Sequence, residues 1–199
     1  MYLNQYLLKY LFILFVFSNL FSDELSVSQY NQPHKIQDGK EINKLSILSW
    51  NIRMLTHPLG WLHNPVERAE NIIQALENAE LYDAILFQEA FSGSMRNKIY
   101  KKLKDIYPNQ IEPNDNTHYC KSNSGLWIIS RDPVVLIEEI SFRHLRGWDK
   151  LSSKGAKLYS IIKNQQEFYI INTHMQADYK TKYSDIRIKQ YTEIQEKLI

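Results

Sequence analysis

The sequence has very few of the residues that define several protein classes. Cys120 is the only cysteine among 199 residues, which excludes an intrachain disulfide and a zinc site built from several thiolates. Glycine and proline number 6 each, too few for a collagen-like or low-complexity chain. With 44% hydrophobic and 13% aromatic residues, the chain can instead bury a core, and its length suits one domain or two small ones.

A strong excess of one charge is also missing. Lys and Arg number 24 against 22 Asp and Glu, a net charge of +2, so bulk electrostatics does not demand a nucleic-acid partner. A site for a polyanion must therefore be local. The most basic stretch, residues 143–157, holds five Lys or Arg residues and one Asp. It can attract phosphate, although a solvated basic loop explains it as well.

No apolar run reaches the roughly 20 residues of a membrane-spanning helix. The chain opens with Lys9, an apolar run over residues 10–17 and the acidic pair Asp23 and Glu24. This pattern predicts a secretory signal peptide over residues 1–22, with an uncleaved amphiphilic anchor as the alternative. We therefore predict a secreted protein with a polar lead-in over residues 23–43 and a single domain over residues 44–199.

The remaining sequence alternates between strand-like and helix-like patterns. Apolar runs predict strands over residues 45–51, 83–89, 125–130, 134–140, 156–162 and 168–172. Helical periodicity predicts helices over residues 64–79, 95–106 and 183–199, the first with Asn64 as its N-cap and Pro65 at its first position. Residues 109–123 are polar and predict a loop. This order predicts an α/β domain with layered sheets and helices outside them.

Three polar residues stand at or directly after the ends of predicted strands. Asn51 and Glu89 supply amide and carboxylate oxygens, which suit a Mg²⁺ ion that keeps several of its waters. His174 follows the last strand and can donate a hydrogen bond to phosphate or transfer a proton. Taken singly, each has an ordinary structural explanation: a turn cap, an edge carboxylate and a packed histidine.

Five short motifs follow one another along the chain: Trp50-Asn51-Ile, Phe87-Gln-Glu-Ala-Phe91, Ser124-Gly-Leu-Trp-Ile-Ile-Ser130, Asp149-x₄-Lys154-Gly and Asn172-Thr-His-Met-Gln-Ala-Asp178. Each is weak alone, but the ordered set over residues 45–199 resembles the endonuclease/exonuclease/phosphatase superfamily. Within it, the likeness is to the neutral, Mg²⁺-dependent sphingomyelinases. The last two motifs are those that separate sphingomyelinases from the nucleases of the superfamily.

The resemblance implies a fold and a site. The fold would be a four-layered α/β sandwich, with two packed mixed sheets flanked by helices. A divalent cation, Mg²⁺ by resemblance, would be held mainly by Glu89 with help from Asn51, and His174 would contact the phosphate. Asp149 and Lys154 would belong to a mobile loop that orders the site.

The resemblance also implies a function. The protein would be a secreted phosphodiesterase that hydrolyses sphingomyelin to ceramide and phosphocholine at a membrane surface. Two alternatives stay open: a nuclease or phosphoinositide phosphatase of the same fold, and a non-catalytic binder of membranes or host surfaces.

The sequence departs from the family pattern after Asp178. Family members continue with Gly-Asp-x-Asn and a late Ser-Asp-His whose histidine is the general base, and neither motif is present here. The resemblance therefore implies the N-terminal two-thirds of the domain, a C-terminally incomplete fold. Three explanations are open, namely a fragment, an inactive remnant or a protein reused for binding. We expect the isolated chain to be inactive.

Overall fold

A computed structural model describes residues 11–13, 44–55, 64–115, 122–177 and 182–199. The described residues form two four-stranded sheets and three helices, a mixed α/β arrangement. The first sheet has the order β2-β3-β5-β4 and contains β2 (Ile47–Met54), β3 (Ala84–Ala90), β5 (Trp127–Ser130) and β4 (Asn109–Ile111). The second has the order β1-β8-β7-β6 and contains β1 (Leu11–Ile13), β8 (Gln166–Thr173), β7 (Gly155–Lys163) and β6 (Val134–Ser141).

The helices lie close to their predicted positions, as α1 (Pro65–Glu77), α2 (Gly93–Leu103) and α3 (Ser184–Leu198). Pro65 begins α1, as the sequence predicts, since its missing N–H costs nothing there. Asn64 precedes it, but its side chain does not cap a backbone N–H. Instead, Asn64 Nδ2 donates to the Glu67 carboxylate, from a left-handed backbone with φ of 41°.

Three hydrophobic clusters hold the elements together. In β3, Ile85 and Phe87 face α1 and α2, whereas Ala84 and Leu86 face the second sheet. Such alternation with both faces buried explains why this strand is apolar almost throughout. A third cluster joins α3, through Ile194 and Leu198, to the outer face of the second sheet. The described residues therefore form layers in the order α1 with α2, the first sheet, the second sheet and α3.

One predicted loop contains a strand. The prediction of a loop over residues 109–123 was wrong at its start, because Asn109–Ile111 pairs antiparallel with β5. Gln110 Oε1 accepts a hydrogen bond from Trp127 Nε1 at 3.0 Å. The strand is a short, polar edge strand, so it lacks the alternation of apolar residues by which strands are recognised.

The β7–β8 hairpin has a tighter turn than the sequence suggests. Lys163 pairs with Gln166, leaving only Asn164 and Gln165 between the strands. Both central residues have positive φ, of 50° and 63°, as the two-residue turns favoured in hairpins require. This turn directs β8 back along β7 toward the end of the sheet where His174 lies.

Several predictions fall outside the described residues. These are the polar lead-in over residues 23–43, Cys120 and Asp178, together with all of the predicted signal peptide except the backbone of β1. That short strand pairs in parallel with β8, Leu11 opposite Tyr169. Among the described residues, no helix has the length and apolar character needed to cross a membrane.

Candidate active site

Glu89 and Asn51 are brought together by neighbouring parallel strands. Asn51 pairs with Gln88 in register, and the register then shifts so that Met54 pairs with Ala90. Arg53 and Glu89, on either side of this bulge, both have left-handed backbones, with φ of 47° and 55°. Bulges of this kind redirect side chains beside active sites. Here Asn51 Nδ2 donates to Glu89 Oε1 at 2.8 Å.

His174 reaches the same place from the second sheet. It follows β8 directly, and its backbone N–H donates to the carbonyl of Gly155 at 3.0 Å. Its Nε2 lies 3.6 Å from Glu89 Oε1, and Phe91 packs beside the ring, with centroids 6.0 Å apart. The imidazole is buried, and its Nδ1 has no hydrogen-bond partner among the described residues.

The environment sets the charges of this pair. Burial raises the pKa of the Glu89 carboxyl, but His174, the Asn51 amide and the positive charge of Lys154 lower it by more, to about 2. Burial lowers the pKa of His174, against the opposing effect of Glu89. Near neutral pH, Glu89 is therefore ionised and His174 is a neutral imidazole. The carboxylate beside Nε2 favours the tautomer with its hydrogen on that nitrogen.

A buried Lys154 and a partly buried Asp149 form an ion pair beside Glu89 and His174. Lys154 Nζ lies 3.0 Å from Asp149 Oδ1 and donates to the Met175 carbonyl at 2.9 Å. Asp149 Oδ2 in turn accepts the N–H of Ala177 at 2.7 Å. Burial lowers the pKa of Lys154, although Asp149 opposes that effect. Both residues of the basic loop thus hold the backbone that follows His174.

The five predicted site residues therefore form two adjoining groups. Asn51, Glu89 and His174 meet directly, and the Asp149–Lys154 pair lies beside them along residues 175–177. The roles assigned to them from the sequence stay predictions, because contact alone does not establish a role.

The donor set is suited to one kind of metal. The ionised Glu89 carboxylate suits Mg²⁺, which binds through few protein ligands and keeps several waters. Asn51 turns its amide nitrogen to that carboxylate while its Oδ1 accepts the Arg53 N–H at 3.1 Å, so Asn51 would join Glu89 as a ligand only with its amide turned over. A structural zinc ion needs about four nitrogen or sulfur ligands, and no cluster of three or more His, Cys, Asp or Glu residues is present among the described residues. The described residues fit a largely hydrated, oxygen-bound cation.

Two buried amides that the sequence did not single out join the sheets behind the site. Gln88 Nε2 donates to Asn172 Oδ1 at 2.7 Å, and Asn172 Nδ2 donates to the Phe87 carbonyl at 3.1 Å. These bonds cross from β3 to β8 next to the residues that carry Glu89 and His174. Their position within the Phe-Gln-Glu and Asn-Thr-His motifs was the only sequence signal.

A second unpredicted group fixes the chain directly after Glu89. The guanidinium of Arg96 is fully buried and donates to the carbonyls of Ala90 and Phe91 at 2.7 and 3.1 Å. Asn123 Nδ2 also donates to the Phe91 carbonyl, at 2.9 Å, and its Oδ1 accepts the N–H of Gly125. A buried arginine on an amphipathic helix gives no sequence signal of this contact, since its acceptors are backbone atoms.

Curated proteins that are similar to this chain include bacterial sphingomyelinases. No family model matches the chain. A sphingomyelinase C of Bacillus cereus is 30% identical over 171 residues, which are 77% of this chain and 51% of that protein. A sphingomyelinase C of Listeria ivanovii is 27% identical over 75% of this chain and 49% of that protein. The chain thus spans about half the length of these curated relatives.

Solved structures agree with the sequence relatives. A crystal structure of a beta toxin variant from Staphylococcus aureus, with bound magnesium ions, has a TM-score of 0.67 at 26% identity, covering 77% of this chain and 58% of that one. The motifs, the two-sheet fold and these relatives lead to one conclusion. The chain belongs to the endonuclease/exonuclease/phosphatase superfamily and is related to its bacterial sphingomyelinases.

Proposed function

We propose that this chain carries the metal-binding and phosphate-binding part of a Mg²⁺-dependent phosphodiesterase that acts on sphingomyelin. One observation carries the proposal: an ionised, largely buried Glu89 carboxylate lies between the Asn51 amide and the His174 imidazole. A carboxylate kept ionised in a buried place needs a cationic partner. The relatedness to sphingomyelinases supports the choice of substrate.

Glu89 and Asn51 would hold the metal ion. When bound, Mg²⁺ supplies positive charge that stabilises the phosphate oxygens as negative charge develops on them. The remaining work falls to side chains of this chain, which bind and orient the phosphodiester.

His174 is suited to the phosphate itself. Its Nε2 lies beside the carboxylate of Glu89. The hydrogen on that nitrogen can be donated in a hydrogen bond to a phosphate oxygen that enters the same space. Phe91 and the closure of the two sheets limit the orientation of the ring. The Lys154 ammonium, on the same side, adds a positive charge that attracts the phosphate but is shared with Asp149. No described residue is assigned to deprotonate the attacking water.

Fold and location follow from the same proposal. We propose that the two sheets and their helices are part of the four-layered sandwich of the superfamily. We also propose that the apolar N-terminal segment over residues 1–22 directs export, which would bring the protein to membranes that contain sphingomyelin.

The proposal is tested with sphingomyelin vesicles and the 199-residue chain. Release of phosphocholine is measured with Mg²⁺ and with EDTA, for the unaltered chain, Glu89→Gln and Asp105→Asn. Asp105 is an exposed carboxylate in the turn after α2 and is not among the site residues. Release that needs Mg²⁺ and Glu89 but not Asp105 supports the proposal. Release that is equal in EDTA contradicts it.

The same test covers the expectation that the chain is inactive by itself. If phosphocholine is not released, binding of Mg²⁺ and phosphocholine is measured by calorimetry on the same three proteins. Binding of both that is lost in Glu89→Gln would leave a binding function for the site. Absence of both binding and release would refute the proposed site.

A further inference from the structure

A short helical turn beside the site displays large apolar side chains to solvent. The turn is the 3₁₀ helix Gly147–Leu151, called here the Trp148 turn. The Trp148 side chain is 84% exposed and Leu151 is 53% exposed. An isolated exposed leucine is ordinary, but a tryptophan of this exposure beside another apolar residue marks a binding surface.

The exposure is not the result of a loosely held loop. At the N-terminal side of the turn, Arg146 N–H donates to Gln176 Oε1 at 2.8 Å. At its C-terminal side, Ser122 N–H donates to the Leu151 carbonyl at 2.9 Å. Between them, Asp149 is tied to Lys154 and to the Ala177 N–H. The backbone is therefore held on three sides, and the tryptophan is presented outward from a fixed support.

The charge around the turn is positive. Arg143, Arg146 and Lys150 are exposed on or beside it. The single carboxylate of the turn, Asp149, is already paired with Lys154, and the neighbouring His144 is paired with Glu193 through a 2.7 Å contact. Among the described residues, the surface thus combines apolar side chains with positive charges that have no ion-pair partner, which is the combination that binds the headgroup region of phospholipid bilayers.

The location of the turn matches a membrane-bound substrate. Asp149 follows Trp148 directly and pairs with Lys154, which itself bonds to the residue after His174. A bilayer that takes up Trp148 would therefore lie against the same end of the sheets as Glu89 and His174. Tryptophan is enriched at such bilayer interfaces because its ring is apolar and its N–H is polar.

We propose that the Trp148 turn is a membrane-docking element, which inserts Trp148 and Leu151 into the headgroup region of a phospholipid surface while Arg143, Arg146 and Lys150 contact anionic headgroups. The choice of a lipid surface rests on the proposed function, and the docking element deepens it by stating how the site approaches its substrate.

The chain offers a matched control for the apolar contact. Leu81 is 55% exposed, nearly the same as Leu151. It precedes β3, whereas Glu89 lies at the other end of that strand. The control variant Leu81→Ala therefore removes the same side chain, equally exposed, from the opposite end of the sheets.

The test is co-sedimentation with vesicles of phosphatidylcholine and sphingomyelin, with and without phosphatidylserine. We expect Trp148→Ala to bind the vesicles at least about tenfold more weakly, because the variant lacks the large apolar side chain that enters the bilayer. Leu151→Ala should weaken binding and Leu81→Ala should not. Binding should increase with phosphatidylserine and decrease with added salt. Equal binding by Trp148→Ala and Leu81→Ala would overturn the proposal.

Two further measurements distinguish membrane docking from the proposed catalytic function and from binding to a protein partner. Hydrolysis of a water-soluble nitrophenyl phosphocholine by the unaltered chain tests the proposed function alone. Its absence, together with vesicle binding that depends on Trp148, would support the docking element, and the calorimetric binding of Mg²⁺ and phosphocholine would then decide the proposed site separately. Sedimentation velocity without lipid tests a protein partner, and a dimer that is lost in Trp148→Ala would overturn the assignment to membranes.

Discussion

At the scale of single residues, the backbone at Glu89 adopts a conformation that few non-glycine residues adopt. Glu89 has a left-handed backbone, with φ of 55°, which costs an ordinary residue about 1–3 kcal/mol. The facing Gly125 makes this geometry possible. It too is left-handed, with φ of 68°, and its N–H and carbonyl bond to Asn123 and Ala90.

A side chain at position 125 would collide with the site. A Cβ there would lie 2.8 Å from Phe91 Cε1 and 3.0 Å from Glu89 Cα. We therefore predict that Gly125→Ala lowers the free energy of unfolding by about 2–4 kcal/mol, from positive φ and the collision together. The measurement is urea denaturation followed by circular dichroism.

Gly147 provides the control for this prediction. Its φ is 59°, but the nearest atom that a Cβ there would meet among the described residues is Tyr183 Oη at 3.7 Å. Gly147→Ala should therefore cost only the backbone part, about 1–2 kcal/mol. If the two variants lose the same stability, the close approach of Gly125 to Glu89 contributes nothing.

At the scale of elements, α3 does more than cover the second sheet. Its Gln190 is fully buried, accepts the N–H of Gln176 at 2.9 Å and donates to the His144 carbonyl at 2.7 Å. Gln176 then holds Arg146 at the start of the Trp148 turn. The helix thereby supports both the segment after His174 and the docking turn.

This support predicts a clear difference between two glutamines of α3. Gln190→Ala leaves a buried N–H and a carbonyl without partners, so it should lower the free energy of unfolding by about 2 kcal/mol. Gln195→Ala, at an exposed position of the same helix, should change it by less than about 0.5 kcal/mol. Thermal and urea unfolding of both variants checks this, and equal losses would contradict the role of Gln190.

The far end of the sheets is held by a different contact. Asp83 Oδ2 accepts bonds from Lys163 Nζ at 2.6 Å and from Ser46 N and Oγ at 2.7 and 2.9 Å. Burial raises the pKa of Asp83, but Lys163 and Ser46 outweigh that effect and hold the pKa below its usual value. The ionised carboxylate therefore joins the two sheets across β2, β3 and β7.

A lowered carboxyl pKa predicts how stability depends on pH. The contribution of Asp83 is fully present above the unfolded pKa and is lost as the pH falls through the lower folded pKa. The difference in unfolding free energy between the unaltered chain and Asp83→Asn should thus be large near about pH 7 and shrink below about pH 4. Urea unfolding across this range measures it. A difference that does not vary with pH would exclude the ionised contact.

Sequence patterns predicted the elements better than the contacts between them. A continuous apolar run located β3, which is buried on both faces, and apolar periodicity located α1, which buries one face. It missed β4, whose polar residues pair only as an edge strand, and it could not assign a role to Gln190 or Arg96. Gln190 bonds to backbone atoms 14 and 46 residues away, and Arg96 turns back to carbonyls five and six residues before it. A single sequence holds no record of such backbone partners.

At the scale of the whole molecule, the site exists only because two sheets meet. Asn51 and Glu89 come from the first sheet and His174 from the second, and Gln88 and Asn172 bond across the junction. The motifs named these residues through resemblance to a family, whereas their meeting follows from the burial of one sheet face against the other. The metal and phosphate roles rest on this meeting.

Calorimetric titration of the chain with Mg²⁺ tests most directly whether this site binds the ion through Glu89. The unaltered protein should bind the ion, and Glu89→Gln should bind it at least about tenfold more weakly, because a neutral amide replaces the ionised ligand. Circular dichroism of Glu89→Gln establishes that the variant is folded. Equal Mg²⁺ affinity in the folded variant would contradict the assignment of Glu89 as the metal ligand.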